Sequence, residues 1–420
     1  MSEPSTSSAS RSALSGNAVA KLLVTLLCSL AAIALRLNHT HLPPIEGLLV
    51  YGGAVLSAAF ILAWAAEALQ VDIAKGLAMA VLAFIAVLPE YAVDLYFASM
   101  AAKKPEYAQY AAANMTGSNR LLIGVGWSVV ALCSVYAALR KRAPGEAKEP
   151  SPGVSLNDGY GIDLTILCLA TLWSLTMPLF EHIALWNGAG LLILFGFYVW
   201  RVSGGADSEP ELTGVASEIG ALPKVRRRST VALLLAIAAG TLLAAAEPFA
   251  ESLIGAGEHL GVDRFLLVQW LAPLASEAPE LLVATIFALH GHGSAGIGAL
   301  LSSKVNQWTL LVGTLPMAYS LALGKPGALP LDPRQVEELV LTSSQSLLGV
   351  GVLLNGRLEA WEAVVLLLLF LVQLPFPQAN VRYGLSLLYV LLAILLFIRY
   401  ARYVPQHLRL TFRKDADSKE

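Results

Sequence analysis

Charge is scarce in this sequence. Only 14% of its 420 residues are Asp, Glu, Lys or Arg, against about a quarter in soluble domains, while 56% are hydrophobic. With the apolar residues gathered into long runs and a mean hydropathy of +0.65, the composition excludes a soluble globular enzyme and specifies a polytopic helical membrane protein. The net charge of −2 gives no electrostatic case for a nucleic-acid partner. Cysteine is nearly absent. Cys28, Cys133 and Cys168 lie in apolar segments without paired spacing, so they read as small buried hydrophobes and exclude a disulfide framework or thiolate metal site. The chain also lacks His-Glu-x-x-His, a Ser–His pair within an apolar segment and a recognised catalytic aspartate pair, which leaves an intramembrane enzyme without support. No cofactor is expected. The partners implied are inorganic cations and the lipid bilayer.

What is present is a series of apolar segments at roughly 17–37, 48–69, 73–101, 107–139, 161–180, 183–201, 230–254, 264–290, 296–323, 336–355, 359–376 and 383–400. Most approach the ~20 residues needed to span a bilayer, so the fold expected is an all-α integral membrane protein of about 12 transmembrane helices. Residues 1–16 are Ser-rich and polar and read as a disordered tail. The first membrane half is 17–201, a linker follows at 202–229, the second half is 230–400, and a tail closes the chain at 401–420. Segment 17–37 also resembles a secretory signal peptide, although no small-x-small cleavage site closes it. Basic residues cluster at Arg140, Lys141, Arg142 and Lys148, at Lys224 and Arg226 to Arg228, and at Arg402, Arg409, Arg413 and Lys414. Twelve spans with both termini in the cytoplasm put all three clusters inside, as the positive-inside rule requires. Lys103, Lys104, Lys325 and Arg334 run against it.

Two stretches say the same thing twice. Val87-Leu88-Pro89-Glu90-Tyr91-Ala92-Val93-Asp94 is followed by Ala113-Asn114-Met115-Thr116-Gly117-Ser118-Asn119. Glu277-Ala278-Pro279-Glu280-Leu281 is followed by Gly298-Ala299-Leu300-Leu301-Ser302-Ser303-Lys304. Each copy sets a carboxylate directly after a proline inside an apolar segment. A carboxylate in hydrocarbon is costly and is expected to face a cavity or a partner, and a proline there frees a backbone carbonyl that only protein or a polar cavity can satisfy. Five helices separate equivalent positions, an odd number, so the halves are expected to be inverted around a midplane site, with one extra helix at each end of a five-plus-five core. Glu90 and Asp94 share one helix face, as do Glu277 and Glu280. Four carboxylates on facing helices suit a hard divalent cation such as calcium, and Ser118, Ser303, Asn114, Asn119, Asn306 and Gln307 add the neutral oxygens such sites use.

The Pro-Glu helix followed by a Gly-Ser-Asn helix, twice in inverted halves, resembles the two α-repeats of the sodium/calcium exchanger superfamily, over about 73–126 and 264–313. The resemblance implies that Glu90 and Glu280 bind the transported metal ion, with Ser118 and Ser303 contributing, and that the helices preceding each repeat slide against the core. Departures are several. Ala86 and Val87 stand where family members carry Ser or Thr one turn before the glutamate. Ser276 and Glu277 occupy those places in the second copy. Asp94 and Ala284 replace the Ser one turn after it, Leu122 and Gln307 the later Asn or Asp, and Arg120 follows the first Gly-Ser-Asn block.

Lys304 replaces an Asn in the second block, and two readings of it stand open: a charge-compensating or coupling group paired with Glu277 or Glu280, or a side chain snorkelling to the cytoplasmic surface. Glu67 and Glu247 precede the repeats, either lining proton access or sitting at the interface. Trp270 and Trp308 read as interface anchors or packing, and a His290–His292 metal pair has too few ligands. The function expected is a secondary active cation antiporter in the inner membrane, exchanging Ca2+ for H+ or Na+ by alternating access. The alternatives are a Na+/H+ exchanger of the same fold, or a transport-inactive relative in which Lys304 permanently neutralises the site. A channel is disfavoured because so anionic a site holds a divalent ion too tightly to conduct.

Overall fold

The structure is a computed structural model, and it describes residues 14–72, 88–141, 152–156, 159–203, 212 and 214–412. The first half holds α1 (Gly16–Leu37), α2 (Pro44–Leu69), α3 (Leu88–Ala101) and α4 (Tyr107–Leu121). A π-helical turn (Leu122–Trp127) joins α4 to α5 (Ser128–Lys141), and α6 (Tyr160–Ser174), α7 (Thr176–Phe180) and α8 (Leu185–Val202) follow. After α9 (Gly214–Gly220) come α10 (Lys224–Leu260), α11 (Arg264–His290) and α12 (Gly293–Asn306). A second π turn (Gln307–Leu311) leads into α13 (Val312–Leu323), then α14 (Pro333–Leu353), α15 (Ala360–Gln373), α16 (Ala379–Arg399) and α17 (Val404–Phe412). Eight of the described helices, some running on through a π turn or a short break, are long and apolar enough to cross a membrane. The start of the first repeat, including Ala86 and Val87, lies outside the described residues.

Local chemistry sets the helix ends. Ser15 accepts from the Ala18 amide to cap α1, and Asp332 with Gln335 forms a capping box behind Pro333 at the head of α14. Asp263 caps α11 at one end, and Gly291, with φ 99°, closes it at the other through the left-handed backbone that glycine adopts without strain.

Helix packing repeats itself between the halves. Helix α3 packs on α13 as α11 packs on α5, and α2 packs on α11 as α10 packs on α3. Likewise α4 meets α14 as α12 meets α6, and α8 meets α13 as α15 meets α5. The strand pairs follow the same rule: β1 (Gly153–Ser155) runs antiparallel to β4 (Arg357–Glu359), and β2 (His182–Ile183) to β3 (Leu329–Pro330). Helix α2 of the first half and α10, which leads into the second, pack along each other. The approach of α4 to α11 is set by Gly117, where an added Cβ would stand 1.8 Å from the Gln269 carbonyl oxygen. Small residues of this kind let backbones approach in a membrane, where close packing is the available attraction.

Three stretches differ from the sequence expectation. The linker at 202–229 carries α9, and α10 begins at Lys224, so the basic cluster opens a helix. Within the tail at 401–420, α17 docks on α6, with His407 on the Leu354 carbonyl (2.9 Å) and Phe412 stacked on Phe197. Cys28 is exposed on α1 and Cys133 and Cys168 are half-buried, so the cysteines are not core residues.

The cluster at 224–228 has a defined partner. Just past α2, Asp72 accepts from Arg227 through Nε (2.7 Å) and Nη2 (3.0 Å) and from Arg228 Nε (3.0 Å), tying the head of α10 to the end of α2. The Arg227 guanidinium holds the Asp72 carboxyl down at about 2, with Arg228 adding to the effect. A carboxyl depressed when folded contributes its stability above its unfolded value of about 3.9 and loses it as pH falls toward 2. Asp72→Asn is therefore expected to lower the thermal midpoint of the solubilised protein at pH 7, the deficit closing as pH falls from 4 toward 2. A deficit independent of pH would show that the ion pair is not its cause.

Candidate functional site

Helices α3 and α11 bring the four predicted acids together. Pro279 inside α11 has no N–H for the Ala275 carbonyl and stands immediately before Glu280. Pro89 takes the matching place before Glu90 in α3. Glu90, Asp94 and Glu277 are buried and Glu280 is half-buried. Glu90 lies beside Ser118 and Glu277 with Glu280 close by, and Glu280 lies beside Ser303. Asp94 accepts from Asn114 Nδ2 at 2.8 Å, and Glu277 accepts from Gln307 Nε2. Each half thus supplies a second carboxylate steadied by one amide, from different positions in the repeat.

Buried oxygens are left over. Neither oxygen of Glu90 accepts a hydrogen bond of normal geometry, nor do Asp94 Oδ2, Glu277 Oε2, Asn114 Oδ1 or Gln307 Oε1, and Ser303 Oγ is also unpartnered. A buried carboxylate without a donor is unfavourable by several kcal/mol unless a proton or a cation meets it. The donor set is all oxygen, which suits a hard cation such as Ca2+ or a proton and disfavours soft metals. Among the described residues, no three His, Cys, Asp or Glu side chains are already drawn together as a metal-holding cluster. The arrangement is a set of buried, partly unpartnered oxygens between helices.

Lys304 is buried completely, so the snorkelling reading does not hold. Its Nζ donates to Asn119 Oδ1 at 2.8 Å and to the Asn119 carbonyl at 3.1 Å, and sits 4.8 Å from the Trp308 ring centroid. The amine's hydrogen bonds go to Asn119 rather than to Glu277 or Glu280. This also takes Asn119 out of the free donor set. Ser118 Oγ donates to the Asn114 carbonyl at 3.1 Å, which leaves its lone pairs available, and Asn306 is buried at the end of α12. Trp308 is a core residue, not an interface anchor. His290 and His292 are exposed. Glu247 is half-exposed and paired with Arg36 of α1.

The sodium/calcium exchanger protein family matches residues 43–204 and 230–377. The chain belongs to that family. Among solved structures it is similar to the H+/Ca2+ exchanger CAX, at 40% identity and a TM-score of 0.88, covering 94% of this chain and 98% of that one. YfkE shares the fold at 15% identity and a TM-score of 0.59, covering 89% and 100% of the two chains. The sodium-calcium exchanger NCX_Mj shares it at 17% and 0.52, covering 79% and 98%. The sodium/calcium exchanger MaX1 of Methanosarcina acetivorans is 23% identical over 136 residues, 32% of this chain, and the match spans 37% of that relative.

This member of the exchanger family also carries buried charges that sequence reasoning did not assign. Arg120, two residues after Ser118, pairs with Glu338 of α14, donates to Gln373 of α15 at 2.9 Å and covers the Trp270 ring at 4.9 Å. Glu338 also takes Arg382 of α16 at 2.8 Å. At the repeat-related contact, Asp163 of α6 accepts from Ser302 (2.9 Å) and Tyr198 (2.7 Å), so α12 is anchored to α6 as α4 is to α14. The signal was available: Arg120, Asp163 and Glu338 are ionisable residues within apolar segments, and such residues demand partners. Removing one partner of a buried pair costs roughly 3–5 kcal/mol, while removing both costs far less. Unfolding of Arg120→Met, Glu338→Gln and the double variant is expected to show strong coupling, with the double variant more stable than the sum of the singles. Simple additivity would place the two residues outside one network.

Proposed function

We propose that the chain is a secondary active antiporter that exchanges Ca2+ for H+ by alternating access. The observation that carries this reading is the meeting of Glu90, Asp94, Glu277 and Glu280 from two proline-bearing helices, with oxygens that lack donors. The full-length likeness to a protein described as an H+/Ca2+ exchanger supports the choice of both ions. In this reading Glu90 and Glu280 hold Ca2+, with Asp94, Glu277, Ser118, Ser303, Asn114, Asn306 and Gln307 completing or adjusting the oxygen shell. Protons compete for the same carboxylates. One pocket cannot hold both loads, and an unloaded cluster of four carboxylates resists crossing between access states, so occupancy is exchanged rather than leaked. No covalent step enters the cycle.

The layout proposed is twelve membrane helices in a five-plus-five inverted repeat, flanked by α1 and α16, with both termini cytoplasmic in the cell membrane. The repeated helix contacts and paired β bridges support it. Helices α2 and α10, joined at Asp72, Arg227 and Arg228, would be the pair that slides against the core to change access.

Calcium uptake into everted vesicles tests the reading. A proton gradient is expected to drive 45Ca2+ uptake, a sodium gradient is not, and Glu90→Gln and Glu280→Gln are expected to reduce uptake to background. Uptake driven by sodium alone would replace the counter-ion, and sodium-driven proton movement without calcium uptake would replace the cargo.

A further inference from the structure

We propose that the Lys304 ammonium is a tethered monovalent cation. It fills, from within the chain, the place between Asn119 and the Trp308 ring that dissolved Na+ would otherwise take, and so restricts the counter-ion to the proton. The inference rests on the exchange reading above and names the selectivity of that same site.

The two repeats give the first argument. Each ligand helix ends in a π turn, at Leu122 in one half and Gln307 in the other. Three residues before each turn stand Asn119 and Lys304, so the two occupy equivalent positions, as do Ser118 and Ser303. One repeat offers an amide oxygen there and the other a cation, and the two meet: Nζ lies 2.8 Å from Asn119 Oδ1 and 3.1 Å from its carbonyl.

Chemistry gives the second. Both Na+ and an ammonium are hard monovalent cations that seek amide and carbonyl oxygens, and the Trp308 face at 4.8 Å adds a further cation-binding surface. Lys304 Nζ gives its hydrogen bonds to the Asn119 side-chain and backbone oxygens, not to a carboxylate. The carboxylate oxygens are therefore left for exchangeable ions, which separates this arrangement from an inactivating ion pair. A cation on a covalent stem cannot leave with the transport cycle. A second monovalent ion entering beside it meets like-charge repulsion in a region where water does little to screen it, and must also displace the amine from Asn119. A proton needs only a carboxylate oxygen, and a divalent ion gains twice from the acids that remain.

The test uses the purified full-length protein in detergent. Thermal midpoints are measured in NaCl and in choline chloride at equal ionic strength, and 45Ca2+ binding is measured in both salts. For the wild type, NaCl is expected neither to raise the midpoint nor to displace Ca2+. Lys304→Asn restores the residue type of its repeat partner, and Lys304→Met keeps the bulk while removing the charge. Either folded variant is expected to gain stabilisation by Na+ and competition of Na+ with 45Ca2+. Sodium-insensitive behaviour in both variants overturns the proposal. So does stabilisation of the wild type by Na+, an arm that requires no variant. If the wild type binds no 45Ca2+ in either salt, the exchange reading itself fails, while the sodium comparison between wild type and variants still reads the monovalent position.

Discussion

Four acids gathered between two helices, three buried and Glu280 half-buried, with oxygens that lack donors, form the constraint on which the rest of the structure depends. In a hydrocarbon surround, each such group must be met by a proton, a cation or a hydrogen-bond donor. The fold meets that demand only in part. Asn114 and Gln307 each steady one acid, and Glu90 is left with neither oxygen bonded. Pro89 and Pro279 each stand directly before a glutamate, and Pro279 removes a backbone donor from within α11. Gly117 lets α4 come down on α11 backbone to backbone, which brings Ser118 to Glu90. In the proposed exchange, the surrounding helices hold these acids in place so that ions from outside can complete them.

The two halves share a frame and differ in chemistry. Helix contacts, π turns and β bridges recur in matched pairs. Within that frame, the second acid comes four residues after Glu90 in one half and three before Glu280 in the other. Asn119 is answered by Lys304, and the Arg120–Glu338 ion pair by the Asp163–Ser302–Tyr198 hydrogen-bonded group. Duplication supplies the frame, and divergence within it places a lysine on one side where the other has an asparagine. The buried Arg120–Glu338–Arg382 network ties α4, which carries Ser118 and Asn119, to α14 and α16.

Much of this was legible in the sequence because membrane burial leaves strong signals. Apolar runs located the helices, and the duplicated Pro-Glu pairs located Glu90 and Glu280 without any knowledge of packing. Lys304 was ambiguous for a physical reason: sequence gives its place along α12 but not the helix rotation or tilt that decides whether its stem points inward. Asn119 was read as a ligand because its type fits one, yet its oxygen is used by a residue 185 positions away. Arg120 and Glu338 were each visible as charges in apolar segments, but pairing them needs the contact between α4 and α14. The docked helix at Val404–Phe412 was missed because a short, basic, amphipathic stretch reads alike as a free tail.

The central claim is that calcium and protons occupy the same carboxylates. Calorimetric titration of the purified protein with Ca2+, repeated at one pH in buffers of different ionisation enthalpy, counts the protons released per ion bound. The account expects Ca2+ binding to release protons from the wild type, and both binding and release to be lost in the Glu90→Gln, Glu280→Gln double variant. Calcium binding with no proton release across the pH range would contradict it.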